Sequence, residues 1–146
     1  MGHSIRFANL GDIDAIFDIR TSVHENHLSR EQLAAIGISP ITVRQAIIEA
    51  PCAWIAEVNG TPVGFSMADV EDGCVFAAFV LPKFEGNGLG RRLMEQAETF
   101  LFQHHQTIWL ETAEASRAYG FYRHLGWQPL ESLTGGDVRF EKSQGQ

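Results

Sequence analysis

The stretch richest in chemical potential runs Phe79-Val80-Leu81-Pro82-Lys83-Phe84-Glu85-Gly86-Asn87-Gly88-Leu89-Gly90-Arg91-Arg92-Leu93-Met94. An apolar run enters it and an amphipathic run leaves it, so it joins a buried strand to a helix. Glycines at 86, 88 and 90 remove Cβ atoms where backbone can approach a ligand. The free N–H groups and positive dipole of a helix start attract phosphate, and Arg91 and Arg92 add charge there. Glycines alone also make ordinary loops and caps, so their surroundings must decide. A Walker loop does not fit, because Gly90-Arg91-Arg92 offers no Gly-Lys-Ser/Thr for a terminal phosphate or magnesium. A dinucleotide fingerprint begun at Gly86 and Gly88 needs its third glycine where Arg91 stands, although Glu111 is suitably placed downstream for a ribose contact.

Metal chemistry finds little support. Cys52 and Cys74 lack the short paired spacing of a zinc or thioredoxin-like site and read as two buried, reduced thiols. His104 and His105 are neighbours on a helix, where side chains diverge by about 100°, and suit a helix C-terminus better than a metal. No metal is expected.

These residues need a frame. Ser4–Leu10 reads as a strand, and Gly11-Asp12 opens a helix with apolar Ile13, Ile16, Phe17 and Ile19, ending near Arg20. Between Val23 and Pro40 the pattern is irregular, with a short helical stretch at Ser29–Ile36, and a helix follows at Thr42–Glu49; substrate contacts belong in such a region. Cys52–Val58 and Val63–Val70 flank Asn59-Gly60 as an antiparallel hairpin, slightly irregular because of Pro62. Cys74–Leu81 is almost wholly apolar, which predicts a central strand covered on both faces. A helix from Gly88 to His105 carries the stripe Leu89, Leu93, Ala97, Phe100 and Leu101. Thr107–Thr112 is a strand, Ser116–Leu125 a helix stopped by Gly126, and Trp127–Leu130 and Val138–Glu141 the last strands. The order is β-α-α-β-β-β-α-β-α-β-β, with Ser143-Gln144-Gly145-Gln146 as a frayed tail.

Residues 1–146, with 45% hydrophobic content, suffice for one domain with a core and one cleft. A net charge of −7 and a pI near 5.3 disfavour nucleic acid and favour an amine or other cationic partner. No apolar run reaches the length of a membrane span, and Met1-Gly2-His3-Ser4-Ile5 lacks a signal peptide's regions, which points to the cytoplasm and no membrane partner.

Two motifs and the element order together resemble the GNAT superfamily of N-acetyltransferases. Glu85-x-x-Gly88-x-Gly90 is similar to its pyrophosphate loop, Gln/Arg-x-x-Gly-x-Gly/Ala. Arg117-Ala118-Tyr119-Gly120-Phe121-Tyr122-Arg123-His124-Leu125-Gly126-Trp127 looks like its Ala-x-x-Phe-Tyr-x-x-x-Gly-Phe/Trp helix. The resemblance extends from Ser4 to about Lys142. It implies an α/β (α+β) fold: a mixed, mostly antiparallel sheet of about seven strands with about four helices, splayed beside the strand ending at Val80 so that pantetheine pairs there. It also implies acetyl-CoA as acyl donor, no metal, and a small-molecule or protein amine as acceptor, with a homodimer as a superfamily-level expectation. The cofactor-binding set carried over is Phe79, Val80, Glu85, Gly86, Asn87, Gly88, Leu89, Gly90, Arg91 and Tyr122. The alternative is a noncatalytic acyl-CoA sensor or interaction module on the same fold.

Aminolysis of a thioester needs a neutral amine, a donor for the oxyanion and a proton for the leaving thiolate. The resemblance assigns the oxyanion donor to the backbone N–H near Val80 and the acid to Tyr122, whose alternative is a packing role on the apolar stripe with Ala118 and Leu125. Tyr119 falls outside the motif position. For the base, Glu25, His27, Glu57, Asp69 and Glu111 lie at strand ends or in the first helix loop, and Glu111 and Glu25 are the first to test. Two departures stand out: Glu85 puts a carboxylate by the diphosphate site, and Ala115 replaces an Asn of many relatives, removing a contact to the cofactor arm.

Overall fold

The computed structural model describes residues 2–23 and 27–145. Strand β1 (His3–Phe7) is followed by helices α1 (Ile13–Arg20), α2 (Arg30–Ala35) and α3 (Pro40–Glu49), then strands β2 (Ala53–Val58), β3 (Thr61–Asp69) and β4 (Cys74–Val80). Helix α4 (Leu89–Phe102), β5 (Thr107–Ala113), α5 (Arg117–His124), β6 (Gln128–Ser132) and β7 (Asp137–Ser143) complete the chain, with one-turn 3-10 helices at Leu10–Asp12 and Pro82–Phe84. Local chemistry sets several starts. Ser29 and Ser39 close capping boxes with Gln32 and Thr42, Pro40 begins α3 where its missing N–H costs nothing, and the Ser116 hydroxyl accepts from Tyr119 N.

The seven strands form one sheet in the order β1-β2-β3-β4-β5-β7-β6. Every neighbouring pair is antiparallel except β4–β5, which is parallel. That parallel ladder is a single pair, Cys74 with Trp109, so the strands part beyond it and the sheet is splayed at its centre. One face carries α4 and α5 over a core built on Leu93, Met94, Ala97, Ile108, Trp127 and Phe140. The other carries the first three helices over Ile16, Phe17, Leu33, Ile55 and Phe65.

Several expectations are corrected. β1 stops at Phe7 instead of Leu10, because Asn9 accepts from Gly11 N and reciprocally caps the turn with Asp12. β4 is central, but it is not covered on both faces: Phe76 is 47% exposed and residues 77–80 are half-buried along the splay. Helix α4 ends at Phe102, short of His105. Ser143 belongs to β7 and Gln144 N donates to Gln106 O, so the tail is held further than a frayed end would be. Among the described residues five α-helices accompany the seven strands, and the short helical stretch expected at Ser29–Ile36 is α2. The hairpin irregularity near Pro62 is present as a register shift after Ala56, and both cysteines are buried and free of disulfides.

Candidate active site

Hydrogen-bond alternation along β4 creates the first site feature. Leu81 N donates to Val63 O at 2.8 Å, and Phe79 pairs with Phe65 in the same register. In an antiparallel ladder these bonds recur every second residue, so the N–H groups of Ala78 and Val80 point the other way. There they meet the gap left by β5 and not a strand partner. Val80 thus presents a backbone donor at the edge of the splay. Phe79 is placed differently from the expected cofactor contact: its backbone is committed to β3, and its side chain lies with Phe65 on the face of α1 and α3.

The chain leaves β4 through the 3-10 turn and enters α4 through two glycines in the left-handed region, Gly86 (φ 82°) and Gly88 (φ 80°). A Cβ on either would meet nothing within 4 Å, so no protein packing demands a glycine there. Backbone conformation does, and the space stays open for a ligand. Gly88 caps α4 without a side-chain acceptor, which leaves the first N–H groups of a 14-residue helix for an outside anion. Gly90 has another reason: a Cβ there would lie 3.3 Å from the Phe121 ring, so it permits α4 to approach α5. Leu89 is buried and offers the loop its backbone alone. Asn87 Nδ2 donates to Phe84 O within the loop, and Arg91 pairs with Glu95 one turn along α4.

Glu85 has a partner within the protein. Its Oε1 accepts from Arg117 Nη1 at 3.0 Å, at the start of α5. The carboxylate that would repel a diphosphate is thereby paired with a cation from the second motif.

Tyr122 lies on the buried side of α5, its ring 5.3 to 6.4 Å from Phe121, Phe140 and Trp127. Burial pushes its phenol up to about 12, so it keeps its proton across the neutral range. The hydroxyl has no protein partner among the described residues. The packing role is thus plainly present, and the phenol keeps its proton within it.

Glu111 is exposed on β5, opposite Arg139 of β7 and two residues past the Cys74–Trp109 pair, where the strands part. Its neighbour Leu110 belongs to the core that holds Tyr122, so Glu111 and Tyr122 lie on opposite faces of the sheet with the gap between them. Glu25 lies outside the described residues.

Residues that sequence reasoning passed over gather on the Glu111 face. Arg20, noted there only as a helix end, sets its guanidinium 4.3 Å from the centroid of Phe79. Phe76 joins it because Met67 pairs with Ala77 and Ala68 with Val75, a bulge that turns Phe76 toward α1. Neither a helix-end arginine nor a phenylalanine within an apolar run signals this from its neighbours in sequence.

The Acetyltransferase (GNAT) family model matches residues 13–127, and the chain belongs to this family of acetyltransferases. Its fold is similar to that of the PaiA N-acetyltransferase from Thermoplasma acidophilum, solved in complex with coenzyme A, at 17% identity and a TM-score of 0.80, covering 98% of this chain and 99% of that one. It is also similar to the ribosomal-protein-S18-alanine N-acetyltransferase from Escherichia coli, at 19% identity and a TM-score of 0.72, covering 99% and 96%. Among the described residues no helix is long and apolar enough to cross a membrane, and no group of three or more His, Cys, Asp or Glu stands ready for a metal.

Proposed function

We propose that this chain transfers an acetyl group from acetyl-CoA to a primary amine of a small molecule or a protein. The observation that carries this is the pairing of an uncapped α4 start, reached through Gly86 and Gly88, with the splayed edge of β4. The first suits a diphosphate and the second a pantetheine arm, and both lie on one short stretch of chain.

Acetyl-CoA, as co-substrate, brings an activated thioester. The residues then divide the remaining work. Backbone N–H groups at the start of α4 hold the diphosphate, and the Val80 N–H donates to the thioester oxygen as negative charge develops. Tyr122 holds a proton for the leaving sulfur. A phenol near 12 is a weaker acid than a thiol of roughly 8.5, so a hydrogen bond to the departing sulfur serves better than full transfer. Glu111, on the opposite face beside the gap, is the described carboxylate suited to draw a proton from the amine, directly or through water. The buried, disulfide-free Cys52 and Cys74 fit a reducing compartment such as the cytoplasm.

Thiol release from acetyl-CoA with a panel of amines tests the function. Amine-dependent release supports transfer; binding of acetyl-CoA without release for any amine would favour the sensor.

A further inference from the structure

The acceptor side of the gap has a character of its own. Arg20 ends α1 above a pocket of about 110 Å³ lined by Phe17, Ile38, Met67, Phe76 and Phe79. The pocket is almost wholly apolar, and Arg20 is the cation on its wall. The guanidinium lies against the Phe79 ring, which orients it, and Phe79 immediately precedes Val80. Burial lowers the pKa of Arg20, yet an arginine remains a cation at neutral pH. It engages other protein groups as well, and its guanidinium carries five N–H donors in a fork that matches a carboxylate.

This chemistry selects among amines. An acceptor amine arrives mostly as an ammonium ion and must lose a proton before it can attack the thioester. At the pocket, a fixed cation repels a second positive charge and favours a carboxylate near the amine. The apolar walls favour a hydrocarbon body and penalise a polar one.

We propose that the acceptor is a free α-amino acid with an aliphatic side chain, its carboxylate on Arg20, its side chain in the pocket and its amine toward Val80. This rests on the acetyltransferase reading above and names its substrate class. One amino acid ammonium and one acetyl thioester give one N-acetyl amino acid, one free thiol and one proton: the N–C amide bond forms as the C–S bond breaks. Polyamines and peptidyl amines without a nearby carboxylate are the classes it excludes.

The test compares L-leucine, 3-methylbutylamine (leucine without its carboxylate) and spermidine by thiol release, with rates referred to the neutral amine. For the parent, kcat/KM for leucine exceeds that for 3-methylbutylamine by roughly 10- to 100-fold, the range expected for a charge-assisted hydrogen bond. Arg20→Gln collapses that ratio toward one through KM, Arg20→Lys retains part of it, and both keep the parent's stabilisation by acetyl-CoA. Equal or better use of 3-methylbutylamine or spermidine, or an unchanged ratio in Arg20→Gln, overturns the proposal. If Arg20→Gln does not fold, the parent's ratio and Arg20→Lys decide. Should another amine be acetylated while leucine is not, the acceptor assignment falls and the transferase stands; should acetyl-CoA stabilise the protein while no amine is acetylated, or give no stabilisation, both fall.

Discussion

Arg117 Nη1 stands 3.0 Å from Glu85 Oε1, joining the pyrophosphate-loop motif to the start of the tyrosine helix. The position usually held by Gln or Arg in this motif therefore carries its cation indirectly. The carboxylate is neutralised by a residue 32 positions later, and the two motifs meet in space.

Removing that carboxylate takes a negative charge from beside the proposed diphosphate site. Glu85→Gln is expected to tighten acetyl-CoA binding, and Arg117→Gln to weaken it. Both side chains are substantially exposed, at 77% for Arg117 and 39% for Glu85, so the changes stay below about tenfold and shrink as salt rises. Calorimetric titration at low and high ionic strength checks this; weaker binding by Glu85→Gln would mean that the carboxylate itself makes a favourable contact.

Tyr122→Phe keeps the ring among Phe121, Trp127 and Phe140 and deletes only the hydroxyl, which has no protein partner to lose among the described residues. Stability at neutral pH should hold, while thiol release slows by up to ~10²-fold if departure of the sulfur limits turnover. Single-turnover kinetics with an accepted amine measures that step, and a parent-like rate would remove Tyr122 as donor.

The same phenol predicts an alkaline effect. Its folded pKa is raised, so the stability of the buried neutral form is full below pH ~10, the unfolded value, and is lost as pH rises through about 12. Tyr122→Phe should lack this part of the loss. Denaturant unfolding between neutral and alkaline pH reads it, and parallel curves for parent and variant would contradict the burial.

The far side of α4 carries a stability test. Glu98 binds Lys142 Nζ at 2.7 Å and accepts from Trp127 Nε1 at 3.0 Å, with both charged side chains little exposed. Glu98→Ala leaves the little-exposed Lys142 charge with the Leu125 carbonyl and no carboxylate, and should cost roughly 3 kcal/mol in urea unfolding. A loss below about 1 kcal/mol would show that water solvates Lys142.

Most of the frame was legible because period and punctuation agreed. Asn59-Gly60 marked its hairpin, and the stripe from Leu89 to Leu101 marked α4. Gly86 and Gly88 were read as opening backbone to a ligand, and a Cβ on either meets no protein atom within 4 Å, whereas Gly90 looked identical in sequence and proved to serve contact with Phe121. β4 misled because an apolar run reads as sealed, while its bulge and the early parting from β5 expose Phe76. Arg20 was invisible as a site residue, because its meeting with Phe79 depends on how α1 lies across the sheet. The Glu85–Arg117 pair is likewise a long-range contact that neither motif announces alone.

A diphosphate site opened by Gly88 at the start of α4 makes thermal unfolding sensitive to acetyl-CoA. At about a hundredfold excess over Kd a ligand adds about 2.7 kcal/mol, or several degrees of Tm for a domain of this size. The parent should show that shift. Gly88→Asp, which puts a side chain and a negative charge into space that is open in the protein, should fold with a lower Tm and lose most of the shift. A folded Gly88→Asp stabilised by acetyl-CoA as much as the parent would rule out a diphosphate site at the start of α4.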